Sequence, residues 1–191
     1  ALLRDEGVSF HLTIIGDGER LDACKNLARE LNLDEYVFWR SFVAPATVAD
    51  AMEKADIYVM PSNREEGWGV ALAEAMAAGC ACVSAVEAGA TRLLIREEEN
   101  GLCFHAGNEI ELARKLTRLL TDPRLRSGMG AKARQDLVTK WHPRVVAPQL
   151  IGFSKALLNG QWPSRGTSEM FSPSEFVSLD EEYNGFGAFA L

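Results

Sequence analysis

Five short apolar runs alternate along this chain with segments of helical period, and few folds admit that order. The runs are FHLTIIG (Phe10 to Gly16), YVFWRSFV (Tyr36 to Val43), DIYVMP (Asp56 to Pro61), CACVSAV (Cys80 to Val86) and GLCF (Gly101 to Phe104). Short, largely apolar and closed by glycine or proline, they read as buried parallel strands. Between the first two, Leu21, Cys24, Leu27, Ala28 and Leu31 recur at threes and fours, the spacing of a helix face. TVADAMEKA and VALAEAMAA supply further helices, and Asn108 with Glu111 gives a capping-box-like start to EIELARKLTRLLTD. Pro123 opens a last helix reaching to about Lys140, with Gly128 and Gly130 as its weak points. Strands alternating with helices predict an α/β fold, a doubly wound parallel sheet with right-handed crossovers. Ligands of such sheets bind beyond the carboxyl ends of the strands.

The 191 residues, 47% hydrophobic and 25% charged, suffice for one medium domain with a sizeable core. No apolar run reaches the ~18–20 residues of a spanning helix, and ALLRDEGVSF lacks the pattern of a signal peptide. A cytoplasmic setting is therefore expected, peripheral to a membrane at most in a full-length protein. The formal charge of −7 argues against a nucleic-acid partner. Cys24, Cys80, Cys82 and Cys103 show no zinc or redox spacing and read as plain buried thiols, while His11, His105 and His142 read as structural. Residues 1–158 form the predicted domain. From Asn159 the composition turns to Ser, Pro, Gly and acids, so residues 159–191 read as a linker or a poorly structured tail.

PSNREEGWGVALAEAMAAG, Pro61 to Gly79, carries the chemistry. Gly67 and Gly69 stand where a loop turns into a helix, and the first amides of that helix, from Gly69 to Leu72, are available to a diphosphate. Glu66 sits at the loop's edge and Glu74 in the second helical turn. A carboxylate there can accept bonds from vicinal hydroxyls, or it can mark the solvent stripe of an amphipathic helix. The apolar neighbours Val70, Ala71, Leu72, Ala73, Met76 and Ala77 favour a cleft over an exposed face.

The spacing of Glu66 and Glu74, with EGWG and LAEAMAAG around them, resembles the glutamate-x7-glutamate signature of retaining GT-B glycosyltransferases of the family 4 type. The likeness extends from about Leu2 to Lys140, the region of that family's C-terminal, donor-binding domain, a Rossmann-like half of the GT-B fold. The resemblance implies transfer of a sugar from a UDP-, GDP- or ADP-sugar to an acceptor with retained configuration, through an oxocarbenium-like state and without a protein nucleophile. It gives Glu66 the catalytic position facing the transferred sugar, places Gly67, Trp68, Gly69 and Val70 against sugar and diphosphate, and assigns ribose to Glu74. The main chain near Arg40 to Val43 falls against the base, and Gly16, Ser41 and Phe42 count among the donor-binding residues. No metal and no cofactor are implied.

Two departures stand out. Ser41 replaces a usual glycine, and AGATR, Ala88 to Arg92, replaces Gly-Gly-x-Pro-Glu, exchanging a proline for Thr91 and a carboxylate for Arg92. The family's first donor-domain strand, with its Gly-Arg and Lys-Gly, finds no match, and neither does the N-terminal acceptor domain. The chain is thus expected to be a partial domain lacking its first strand, incomplete and inactive alone. The alternative is a non-catalytic nucleotide-sugar-binding module derived from that family. A nicotinamide-binding reading of Gly16-Asp17-Gly18 lacks the third glycine and a ribose acid in register.

Overall fold

A computed structural model describes residues 1–161, so the expected tail, 159–191, lies outside the described residues from 162 onward. The chain forms two compact units, Ala1–His142 and a second beginning at Pro143. The first unit runs α1 (Leu2–Asp5), β1 (Leu12–Ile15), α2 (Leu21–Glu30), β2 (Val37–Arg40), α3 (Pro45–Lys54), β3 (Ile57–Met60) and α4 (Val70–Ala78). It continues with β4 (Ala81–Ala85), α5 (Thr91–Leu94), β5 (Gly101–Phe104), α6 (Glu109–Thr121), α7 (Pro123–Asp136) and a π-helical turn, Leu137–Trp141. The described part of the second unit is mainly α8 (Pro143–Leu158), one continuous helix with Pro148 inside it.

All strand pairs are parallel, as the alternation predicts, but they form two sheets rather than one. β1 pairs with β2, from Leu12 opposite Val37 to Ile15 opposite Arg40. β3, β4 and β5 form the other sheet, with Ile57 opposite Ala81 and Cys82 opposite Gly101. In the common doubly wound order the first strand, which finds no match in this sequence, stands at the centre between β1 and β3, and none of the described residues fills that place. The two strands therefore keep one unpaired edge each. The burial follows: β4, flanked on both sides, is buried throughout, whereas Leu12 of β1 is 39% exposed.

The three-stranded sheet lies between two apolar clusters. Met60, Cys80 and Cys82 meet Leu72, Ala75 and Met76 of α4 and Met52 of α3 on one face. On the other, Val83, Leu102 and Phe104 meet Leu119 of α6 and Met129 of α7. α7 crosses the amino end of β4 at Gly130, where an added Cβ would stand 2.1 Å from the Gly79 carbonyl oxygen. Gly130 is thus a close-approach position, not the weak point its composition suggests. Gly128 meets nothing within 4 Å.

Two sequence expectations change in detail. The face of α2 turned inward carries Leu21, Lys25 and Ala28, leaving Cys24 and Leu27 exposed, because a two-stranded sheet is too narrow to cover the apolar stripe. Cys24 is therefore not a buried thiol. At α6, Asn108 accepts from the Glu111 amide at 3.1 Å as a cap should, but the Glu111 carboxylate takes the His105 amide at 2.9 Å instead of completing a capping box.

Burial raises the pKa of four groups here, Cys80 among them. Cys82 is pushed well above the usual thiol range by its apolar surroundings. Cys103 rises to about 12, through burial first and then the charge of Glu97, and burial lifts Tyr58 to about 12. Each group keeps its proton in the folded state where the unfolded chain would lose it, so stability falls as pH rises from about 9 toward 12. Melting temperatures from circular dichroism are expected to decline across pH 8, 9.5 and 11. A flat profile would contradict this burial.

Candidate functional site

Pro61 stops β3, and residues 61–69 then cross to the start of α4 beyond the strand's carboxyl end. The loop turns on Asn63. Its side chain accepts from the Glu65 amide at 2.9 Å, and its carbonyl accepts from the Glu66 amide at 3.2 Å. Gly69 then enters the left-handed region, with φ of 84°, and caps the helix. The Leu72 amide donates back to the Gly69 carbonyl at 3.0 Å, tightening the first turn. Leu72 is therefore not among the free amides the sequence suggests. Those of Val70 and Ala71 remain, at the positive end of the helix.

α4 buries Leu72, Ala75 and Met76 against the sheet. Contrary to the argument from composition, it does show a face to solvent, made of Val70, Glu74 and Ala77. The Glu74 carboxylate stands on that open stripe, one turn from the helix start, while Glu66 is half-buried. Tyr58 of β3 links the two. Its hydroxyl is held up mainly by burial, then by Cys82 and by the negative charges of Glu74 and Glu66. The charges of both carboxylates thus reach one side chain.

A second wall was not visible in the sequence. The Ala90 amide donates to the Trp68 carbonyl at 2.7 Å. Gly89 lies so close beneath the loop that an added Cβ would stand 2.0 Å from the Gly67 carbonyl oxygen. Ala88 and Ala90 are fully buried, so the AGATR turn forms the floor on which Gly67 and Trp68 rest. That contact joins backbones more than twenty residues apart, and no local pattern announces it. Arg92 follows on α5, exposed.

The remaining predicted residues stand elsewhere. The Gly16 amide donates to the Arg40 carbonyl at 3.0 Å, which brings Gly16 beside Ser41 and Phe42 at the carboxyl ends of β1 and β2. Phe42 is 81% exposed. Among the described residues no hydrogen bond joins this group to residues 66–74.

Two glutamates, free helix amides and a glycine-supported loop at the carboxyl end of a parallel sheet define the site. Residues 1–136 match the family model described as glycosyl transferases group 1. The chain belongs to that family. Among other relatives, this group 1 chain is 35% identical over 119 residues to a phosphatidyl-myo-inositol mannosyltransferase of Mycobacterium leprae, covering 62% of the chain and 31% of that protein. It is 32% identical over 127 residues to an uncharacterized glycosyltransferase of Haemophilus influenzae, covering 65% of the chain and 35% of that protein. Its fold matches a crystal structure of a Staphylococcus aureus TarM mutant in complex with Fondaparinux, alpha-GlcNAc-glycerol and UDP. The TM-score is 0.69 at 22% identity, over 78% of this chain and 30% of that one. The chain spans about a third of the length of the curated relatives it matches. Among the described residues no helix is long and apolar enough to cross a membrane.

Proposed function

We propose that residues 1–158 are the donor-binding part of an enzyme that transfers a sugar from a nucleotide-diphosphate sugar to an acceptor with retention of configuration. The observation that carries this reading is the placement of Glu66 and Glu74 on either side of the start of α4, next to the free amides of Val70 and Ala71. In this reading Glu74 receives the ribose hydroxyls, the amides of Val70 and Ala71 receive the diphosphate, and Glu66, Gly67, Trp68 and Gly69 face the sugar. Leaving-group charge is stabilised by donors already aimed at it, an electrostatic role of the oxyanion-hole kind. Gly16, Ser41 and Phe42 flank the base. The acceptor side and the strand between β1 and β3 come from polypeptide beyond the described residues.

UDP in the TarM complex and UDP-glucose in a complex of Anabaena HepE support the donor class. Glu74→Gln in the complete polypeptide is expected to weaken donor binding about 10- to 100-fold, because an amide offers one acceptor oxygen and no charge to ribose. Titration calorimetry with UDP-glucose and GDP-mannose decides it. Equal affinities of wild type and variant would return Glu74 to the role of a solvent-face acid.

Because the helix amides take the diphosphate in this reading, transfer is expected to proceed in excess chelator. Activity lost to chelator and restored by manganese would overturn that. A second reading, a non-catalytic nucleotide-sugar-binding module, draws support from Arg92, which stands where the resemblance expects a carboxylate. It predicts donor affinity without turnover of the donor in the complete polypeptide.

A further inference from the structure

The donor loop rests on the turn at residues 88–90, and what fixes that turn is a buried pair of hydroxyls. Ser84 Oγ, on the central strand β4, lies 2.6 Å from Thr91 Oγ1, at the start of α5. Ser84 is fully buried and Thr91 is 1% exposed. No other side-chain bond of either residue occurs among the described residues. Each hydroxyl thus depends on the other, and a buried hydroxyl without its partner is costly. The pair therefore ties the first residue of α5 to one position over β4.

Backbone geometry carries this tie outward. The Thr91 amide donates to the Ala88 carbonyl at 3.0 Å, closing the turn over Gly89, and the Ala90 amide donates to the Trp68 carbonyl at 2.7 Å. A displacement of Thr91 moves Ala90, and Ala90 moves Trp68. By contrast, the hydrogen bonds to the Glu65 and Glu66 amides come from Asn63 of the same loop.

We propose that Ser84 and Thr91 are positioning residues for the donor loop: their hydroxyl bond sets where Gly67 and Trp68 present their backbone to the ligand. The inference rests on the donor-site reading above for its consequence in binding, but its structural content stands apart from it. Both side chains are buried away from the surface. They act through Gly89 and Ala90.

The test uses the complete polypeptide and two independent measurements. Loop anchoring is read by trypsin cleavage after Arg64, which lies in the loop, relative to cleavage after Arg20 and Lys54 elsewhere in the unit. Binding is read by calorimetric titration with UDP and GDP. Thr91→Val, which keeps the shape and deletes the hydroxyl, is expected to raise relative cleavage at Arg64 about tenfold and to weaken nucleotide binding by a similar factor. Thr91→Ser is expected to restore both. The double variant Ser84→Ala with Thr91→Val leaves no orphaned hydroxyl, so it folds even where the single variant does not, and it is expected to show the same loosened loop. Cleavage at Arg64 that rises only in step with the reference sites in every variant would overturn the proposal. So would failure of Thr91→Ser to rescue. If wild type binds neither nucleotide yet Arg64 responds as expected, the donor-site reading fails and the anchoring stands; normal wild-type binding with an indifferent Arg64 gives the converse.

Discussion

Alanine at Asp136 is expected to lower stability by about 3 kcal/mol, the low end of the range for breaking a buried ion pair. Asp136 closes α7, and its side chain is 8% exposed. Its Oδ2 accepts from Arg96 Nη2 at 2.5 Å and from Asn100 Nδ2 at 3.0 Å, while Lys132 Nζ lies 3.2 Å from Oδ1. Asn100 is fully buried and also holds the Leu94 carbonyl and the Arg96 amide, so the carboxylate completes a network that joins α7 to the segment between α5 and β5. The low end applies because the Arg96 side chain is 37% exposed and solvent screens that half of the pair.

Burial alone would raise the Asp136 pKa, but the bonds from Lys132 and Asn100 and the charges of Arg96 and Lys132 outweigh it and hold the carboxyl below its usual range. A depressed folded value means stabilisation that is present above the unfolded value, about 3.9, and is lost as pH falls through the folded one. Urea unfolding of wild type and Asp136→Ala at neutral pH and at about pH 3 measures both claims. The gap between them should shrink in acid. A neutral-pH gap under about 1 kcal/mol, or one that acid leaves unchanged, would show the network to be solvent-screened throughout.

The second large effect is expected at Gly89, and it falls on activity more than on folding. A methyl group there meets the Gly67 carbonyl oxygen at 2.0 Å and its carbon at 3.0 Å, and backbone atoms cannot swing aside as a side-chain end does. The donor loop must retreat by an appreciable fraction of an ångström, breaking the bond from Ala90 to Trp68. Misplacement on the order of 1 Å costs about 100-fold in rate where positioning carries the chemistry, whereas overpacking at one turn costs about 1–3 kcal/mol of stability. Gly89→Ala in the complete polypeptide should therefore lose most of its sugar transfer at temperatures where it remains folded. Gly128→Ala serves as the contrast: open space surrounds that helical position, and alanine there should stabilise by about 0.5–1 kcal/mol. Transfer within threefold of wild type for Gly89→Ala would mean that the loop does not need its floor.

What could be read from the sequence was whatever local chemistry dictates. β5 was delimited to the residue, since Gly101 opens it and its apolar run ends at Phe104, and Asn108 was placed correctly as a cap. The glutamate pair drew notice through its resemblance to a family signature, since the residues by themselves left a solvent stripe open as well. Long-range backbone packing was not. Gly130 against Gly79 and Gly89 against Gly67 look in the sequence like ordinary helix and turn glycines, because their meaning lies in atoms brought close by the fold. The network of Asp136, Arg96 and Asn100 is hidden for the same reason. α5, with four residues, is too short for a period to show, and Pro148 disguises α8. Glu74 misled in one respect: apolar neighbours on a nine-residue helix do not exclude an open face when alanine makes up much of it.

The two glycine contacts bracket α4, one beneath the loop that enters it and one against the residue that ends it. A helix seated at both ends keeps no freedom to spin about its axis, and one residue of slippage would swing Glu74 through about 100°. Because both seats are made of main chain, enlarging or shrinking Leu72 or Met76 changes how firmly the helix is pressed to the sheet without changing the bearing on which Glu74 points. Firmness and aim are thus governed by different residues.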